Sequence, residues 1–193
     1  MVPKLVAEDI PPEALIPFGR DKAKLTAGFL HGLPKDLLPM GQGEGGYLAF
    51  LGRISPEKGP DAAIRIARAA GIPLKIAAKV DRADRDYFDE KIRPLLSQPH
   101  VEFIGEIGDH QKSDFLGGAE ALLFPIDWPE PFGLVMIEAM ACGTPVVAFR
   151  CGSTPEIIED GATGFLVDTM EQAIAAAGRA HLLDREAIRA RFD

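Results

Sequence analysis

The sequence predicts an α/β fold: a doubly wound parallel sheet of about six strands with helices on both faces. From Tyr47 onward, short apolar runs alternate with helical stretches. The runs are apolar at consecutive positions, as in Ala121-Leu122-Leu123-Phe124 and Val146-Val147-Ala148-Phe149. A strand needs apolar residues on both faces only when both faces are covered, as in a parallel sheet between helix layers. Crossovers of that kind are right-handed.

The first 45 residues differ from the rest. Pro3, Pro11, Pro12, Pro17, Pro34 and Pro39 interrupt any long element there. Gly41 to Gly46 is Gly-rich and reads as a linker. The expected division is therefore an irregular N-terminal segment and linker over 1–45, then a Rossmann-like domain over 46–193. Residues 47–51 are the first strand. A helix over 56–70 follows, with Ile64, Ala67 and Arg68 at helical spacing and Gly71 as its stop. The second strand is 74–78, then a helix over 85–96, then the third strand at 101–104. Asp109 is placed to cap a helix running to 116. Strand four is 121–124, followed by a helix over 134–141 and strand five over 146–149. A short helix over 155–159, a sixth strand over 165–167 and a helix over 170–180 complete the alternation.

Composition narrows the function classes. The chain has 193 residues, 47% hydrophobic and 26% charged, as a soluble globular protein does. Its net charge of −8 argues against general nucleic-acid binding but leaves room for a local basic pocket. Cys142 and Cys151 are too few for a disulfide framework and read as reduced, structural thiols in a cytoplasmic setting. No stretch is long and apolar enough to span a membrane, and no basic segment followed by an apolar one opens the chain. His31, His100, His110 and His181 lack metal-ligand spacing, and no Gly-x-Ser-x-Gly elbow supports a Ser/His/Asp triad.

Three loops carry candidate chemistry. Gly52-Arg53-Ile54-Ser55-Pro56-Glu57-Lys58-Gly59 joins the first strand to the first helix. Arg53 offers a planar fork of donors and Lys58 a mobile point charge, a pair suited to a diphosphate. The same residues also read as a surface turn with two solvated cations. The loop is neither a P-loop nor a Gly-x-Gly-x-x-Gly fingerprint, which weakens nucleotide-hydrolase and NAD-oxidoreductase readings.

The second loop is the most informative. Glu130-Pro-Phe-Gly-Leu-Val-Met-Ile-Glu138 places two carboxylates eight residues apart around a turn that opens a helix. Ionised carboxylates only accept hydrogen bonds, so they suit hydroxyl-rich ligands. The N–H groups of Phe132, Gly133 and Leu134 are expected to bind phosphate oxygens at the helix N-terminus. The alternative makes Glu130 a helix-terminal charge and Glu138 a solvated helix residue. The third loop, Gly152-Ser153-Thr154-Pro155-Glu156, can donate to an anion or serve as a plain helix cap. Asp81, Asp84, Asp86 and Asp89, with Arg82 and Arg85 between them, read as a solvated helix start with local ion pairs rather than a divalent-metal site.

In this order and in these loops, the motifs resemble a known family. Phe50-Leu-Gly-Arg-Ile-Ser-Pro-Glu-Lys-Gly59, Val101-Glu-Phe-Ile-Gly105, the Glu130 to Glu138 segment, Ala139-Met-Ala-Cys-Gly-Thr-Pro145 and Gly161-Ala-Thr-Gly-Phe-Leu-Val167 carry the likeness. Over roughly residues 46–180 the chain resembles the C-terminal, nucleotide-sugar-binding domain of the group 1 (family 4) retaining glycosyltransferases, which have the two-domain GT-B fold. The resemblance implies a glycosyltransferase donor domain. It makes Arg53 and Lys58 the pair that binds the donor diphosphate and stabilises the leaving group, next to the turn of Gly52. Glu130 faces the donor sugar, Phe132, Gly133 and Leu134 supply amides, Glu138 grips the ribose, and Gly105 to Ile107 lies where the base is held. No cofactor and no metal are implied. Enzymes of this family are about twice as long and bind acceptor with an N-terminal domain. Residues 1–45 are too short for that domain, although His31-Gly-Leu-Pro34 resembles the interdomain linker. The expectation is therefore a fragment, a truncated product or half of a split enzyme. It would bind donor but need a separate acceptor-binding domain, and it would leave a face that residues 1–45 or a homodimer covers. A non-catalytic nucleotide-sugar-binding or interaction module is the alternative.

Overall fold

A computed structural model describes residues 38–192 of the chain. Its six strands form one all-parallel sheet in the order β3-β2-β1-β4-β5-β6. They are β1 (Leu48–Arg53), β2 (Leu74–Lys79), β3 (Val101–Gly105), β4 (Ala121–Phe124), β5 (Val146–Phe149) and β6 (Gly164–Val167). The helices are α1 (Pro60–Ala70), α2 (Asp109–Gly118), α3 (Leu134–Ala141), α4 (Thr154–Ile157), α5 (Met170–Ala177) and α6 (Arg185–Phe192).

The apolar runs work as a strand of period two requires. Leu122 and Phe124 pack into a core with α2, α3 and α6, among Leu116, Ile137 and Ile188. Ala121 and Leu123 point the other way, into a core with α1 and α5, among Ile64, Ile66 and Ala173. Both cores cover the central strands, which is why β4 and β5 carry no polar alternation; the edge strand β3 differs, with Glu102 and Ile104 exposed.

Two helices differ from the sequence expectation. The stretch expected as one helix over 56–70 is a 3-10 turn, Pro56–Lys58, then α1, separated by Gly59 at φ 66°. A Cβ on Gly59 would lie 2.3 Å from the carbonyl oxygen of Pro125, so the loop after β1 can approach the loop after β4 only through a glycine. Pro60 then opens α1, where its missing N–H costs nothing. The stretch expected as a helix over 85–96 is a chain of short 3-10, α and π turns over 82–97. Pro94 explains it: without an N–H it cannot donate to the carbonyl one turn back, and the backbone widens before it and tightens after it.

Smaller shifts occur elsewhere. Gly108, not Asp109, caps α2, and Gln111 Oε1 accepts from the Gly108 N–H at 3.0 Å. Tyr47 precedes β1, buried, with its hydroxyl donating to the Phe115 carbonyl at 2.7 Å. The glycines that read as a linker lie backbone to backbone on the domain. Gly41, Gly43 and Gly45 donate to the carbonyls of Cys142, Gly117 and Gly118 at 3.0, 2.9 and 2.8 Å. Arg185, at the start of α6, holds the same stretch by donating to the carbonyls of Gly41, Gly117 and Ala119 at 3.0, 2.9 and 3.0 Å. No helix among the described residues is long and apolar enough to cross a membrane.

Candidate functional site

The sheet order reverses direction between β1 and β4. At such a point the loops leaving neighbouring strands diverge, and a crevice opens at the carboxyl edge of the sheet. The loops after β1, β4 and β5 are stitched together there. Asp127 donates its N–H to the Glu57 carbonyl at 3.0 Å, and Ser153 donates its N–H to the Glu130 carbonyl at 2.8 Å. A Cβ on Gly152, which has φ 57°, would lie 2.4 Å from the Glu130 nitrogen. Glycine is therefore what lets the β5 loop lie against Glu130.

Around that crevice the cations are already paired. Arg53 ends β1 and is about half exposed. Its Nη2 donates to Glu57 Oε1 at 2.7 Å, its Nε lies 3.6 Å from Asp84 Oδ2 and its Nη1 lies 3.8 Å from Asp81 Oδ2. The acidic stretch thus supplies Arg53 with counter-charge, and Asp89 pairs with Arg93 at 2.7 Å. Lys58 crosses to the β4 loop, donates from Nζ to Glu130 Oε2, and lies 5.9 Å from the Phe124 ring centroid. Trp128 Nε1 donates to the same Glu130 oxygen at 3.3 Å. Burial alone would raise the Glu130 carboxyl. The Lys58 ammonium, with the Trp128 N–H and the Gly133 amide, overrides that and holds it below the usual 4.5.

Gly133, at φ 60°, is the N-cap of α3, and its neighbours Phe132 and Leu134 are exposed. The amides of this turn therefore stand at the helix N-terminus beside Glu130 and Lys58. Glu138 lies farther along α3, largely buried, and accepts from Lys112 Nζ on α2 at 2.8 Å. Lys112 also lies 3.1 Å from Asp109 Oδ1. Burial pulls the Lys112 pKa down, but Glu138 and Asp109 together raise it. Gly105 ends β3, and Ile107 packs partly against the core that α2 and α3 share. In the third loop, Thr154 Oγ1 donates to the Phe149 carbonyl at 2.8 Å and accepts from the Cys151 N–H at 3.0 Å, which fixes the turn. Ser153 is the N-cap of α4 but makes no side-chain cap, and its buried Oγ has no hydrogen-bond partner among the described residues.

A sequence model of the family described as glycosyl transferases group 1 matches residues 42–193. The chain belongs to the group 1 glycosyl transferases. It is 33% identical over 178 residues to a D-inositol 3-phosphate glycosyltransferase of Mycolicibacterium smegmatis, covering 90% of this chain and 38% of that protein. A solved glycosyltransferase involved in avilamycin A biosynthesis matches with a TM-score of 0.67 and 30% identity, over 83% of this chain and 50% of that one. An Anabaena protein solved in complex with UDP and glucose matches with a TM-score of 0.57 and 23% identity, over 89% of this chain and 50% of that one. The chain thus spans about half the length of these solved structures and less of the curated relative.

Within this glycosyl transferase domain, the structure brings Lys58, Glu130 and Gly133 into contact, with Phe132 and Leu134 flanking Gly133, whereas Arg53 pairs with Glu57, Asp81 and Asp84. Glu138 sits one step away, joined to α2. Sequence reasoning missed two participants. Trp128, the one tryptophan of the chain, stood two residues before Glu130 and was a visible signal. Lys112 was not: it lies 26 residues from Glu138, and only the packing of α2 on α3 joins them.

Proposed function

We propose that this domain binds the nucleoside diphosphate sugar donor of a retaining glycosyl transfer. The observation that carries the reading is the Lys58–Glu130 pair, formed across the two loops of the switch point at the N-terminus of α3. Departure of a nucleoside diphosphate builds negative charge on the diphosphate. Fixed cations and helix amides stabilise such charge because they need no reorganisation when it appears. In this reading Arg53 and Lys58 take the diphosphate, exchanging carboxylate partners for phosphate oxygens. The amides of Phe132, Gly133 and Leu134 add donors, Glu130 accepts from the donor sugar, and Glu138 accepts from the ribose hydroxyls. Gly105 to Ile107 borders the base. The UDP and glucose held by the Anabaena protein support a donor of this class. The motifs shared with retaining enzymes of the group support retention of configuration. Turnover needs an acceptor-binding domain on the other side of the crevice, because transfer requires both reactants aligned.

Calorimetric titration with UDP, GDP and ADP, without added metal, tests the donor reading. Saturable binding of one of them is expected. Arg53→Ala and Lys58→Ala should each weaken it by about 1–3 kcal/mol, the range for a lost charged hydrogen bond. Unchanged affinity in both variants would remove the diphosphate assignment.

A further inference from the structure

We propose that Lys112 is a positioning residue for donor recognition: it fixes the Glu138 carboxylate so that the site distinguishes a ribonucleotide from its 2′-deoxy counterpart. This rests on the donor reading above. Glu138 sits between Ile137 and Ala139, both buried in the core, and its own side chain is 13% exposed. A glutamate has three rotatable bonds, and ordering them on binding weakens a ligand's affinity unless they are ordered beforehand. Lys112 provides that order from the neighbouring helix. Its Nζ stands 2.8 Å from Glu138 Oε1 and 3.1 Å from Asp109 Oδ1, so the ammonium is itself anchored from the first turn of α2. The bond occupies one carboxylate oxygen and leaves acceptor capacity on Oε2 for a hydroxyl pair. Lysine is also suited to the task electrically. As a point charge it counters a carboxylate that burial would otherwise penalise, without placing a second acceptor against the ligand. Lys112 stands between the β3 loop, which it follows by a helical turn, and α3, so its pairing ties the base-side loop to the ribose-side carboxylate.

The test uses the full chain and whichever diphosphate among UDP, GDP and ADP it binds, together with the matching 2′-deoxynucleoside diphosphate. Dissociation constants are measured for wild type, Lys112→Met, Lys112→Arg, Glu138→Gln and the Lys112→Met/Glu138→Gln double variant. Wild type should prefer the ribo form. Lys112→Met should weaken the ribo form by about tenfold, the equivalent of one charged hydrogen bond, and the deoxy form, which keeps only the 3′-hydroxyl, by clearly less. Glu138→Gln should do the same, the double variant should be no worse than Glu138→Gln, and Lys112→Arg should restore most of the preference. Equal loss for both forms in Lys112→Met would mean that Lys112 meets another part of the ligand or only supports the fold, and the proposal falls. Preserved discrimination in Lys112→Met overturns it as well. Absence of any binding by folded wild type would instead overturn the donor reading on which it stands. Folding of each variant is verified by circular dichroism. If Lys112→Met does not fold, Lys112→Gln takes its place with the same expected outcome.

Discussion

Glu130 meets a lysine ammonium, an indole N–H and the amide of Gly133 through one carboxylate, and its backbone is pinned by Ser153. Each bond favours the charged form and together they outweigh burial, so its folded pKa is lowered from 4.5. A lowered folded pKa gives stability that is fully present above 4.5 and disappears as pH falls through the folded value. Glu130→Gln removes that component. In urea titrations between about pH 5 and 3, the variant's stability should fall less steeply than wild type. Equal slopes would mean the pair gives no net stabilisation. Cys142 shows the opposite direction. Burial pushes its thiol up to about 11, and its side chain is enclosed in the core. At about pH 8 iodoacetamide should therefore leave Cys142 intact in the folded chain and modify it on unfolding, as peptide mass mapping would show. Early modification would place the thiol in reach of solvent. Both glutamates stood out in the sequence as an acidic pair around a Pro-Phe-Gly turn. Their partners were legible only in part. Lys58 stands in a recognisable loop, but the partner it selects lies 72 residues away and depends on the meeting of two loops.

At the scale of elements, apolar pattern located the helices and strands, and close approach decided where they break. Helix α3 has the bounds that its sequence indicates, because a glycine precedes it, an apolar stretch fills it and a second glycine follows. The helix expected over 56–70 breaks at Gly59 because a carbonyl of another loop lies in the way, which local sequence does not record. Pro60 was the available sign. The break also matters for the site. It ends the 3-10 turn at Lys58 and turns that side chain toward Glu130 instead of along α1. Gly59→Ala therefore carries two expected effects. The left-handed backbone and the contact with Pro125 should destabilise the chain by about 1–3 kcal/mol, and displacement of Lys58 should weaken nucleoside diphosphate binding. Urea denaturation and calorimetry on the same sample separate the two. A variant with wild-type stability would show that the β4 loop yields to the added methyl group.

The whole molecule separates its chemistry from its fastening. All six strands run in parallel, so their carboxyl ends share one edge, and Arg53, Lys58 and Glu130 stand there. The opposite edge carries the closure of the chain. Arg185 reaches the carbonyls of Gly41, Gly117 and Ala119 and the hydroxyl of Thr144, residues that lie before β1, β4 and β5. Nothing in the sequence singled out Arg185, because its partners, backbone carbonyls and the Thr144 hydroxyl, belong to three distant segments brought together only by the sheet. The parallel sheet itself was legible, since consecutive apolar positions leave no face for solvent. Lattice-like regularity of the strands thus predicts which loops share an edge, whereas a guanidinium that gathers carbonyls is visible only after the fold is known. The separation can be measured. Arg185→Met leaves several carbonyls without their donor, and each buried acceptor so exposed costs on the order of 1–3 kcal/mol where water does not replace the bond. The denaturation midpoint should drop accordingly, with the dissociation constant for the preferred nucleoside diphosphate unchanged at a temperature where the variant is folded. Because the two edges are joined by the full length of the strands, a loss of binding in the folded variant would mean that the fastening at one edge sets the loop geometry at the other, and that the domain responds as one cooperative body rather than as a rigid sheet with independent ends.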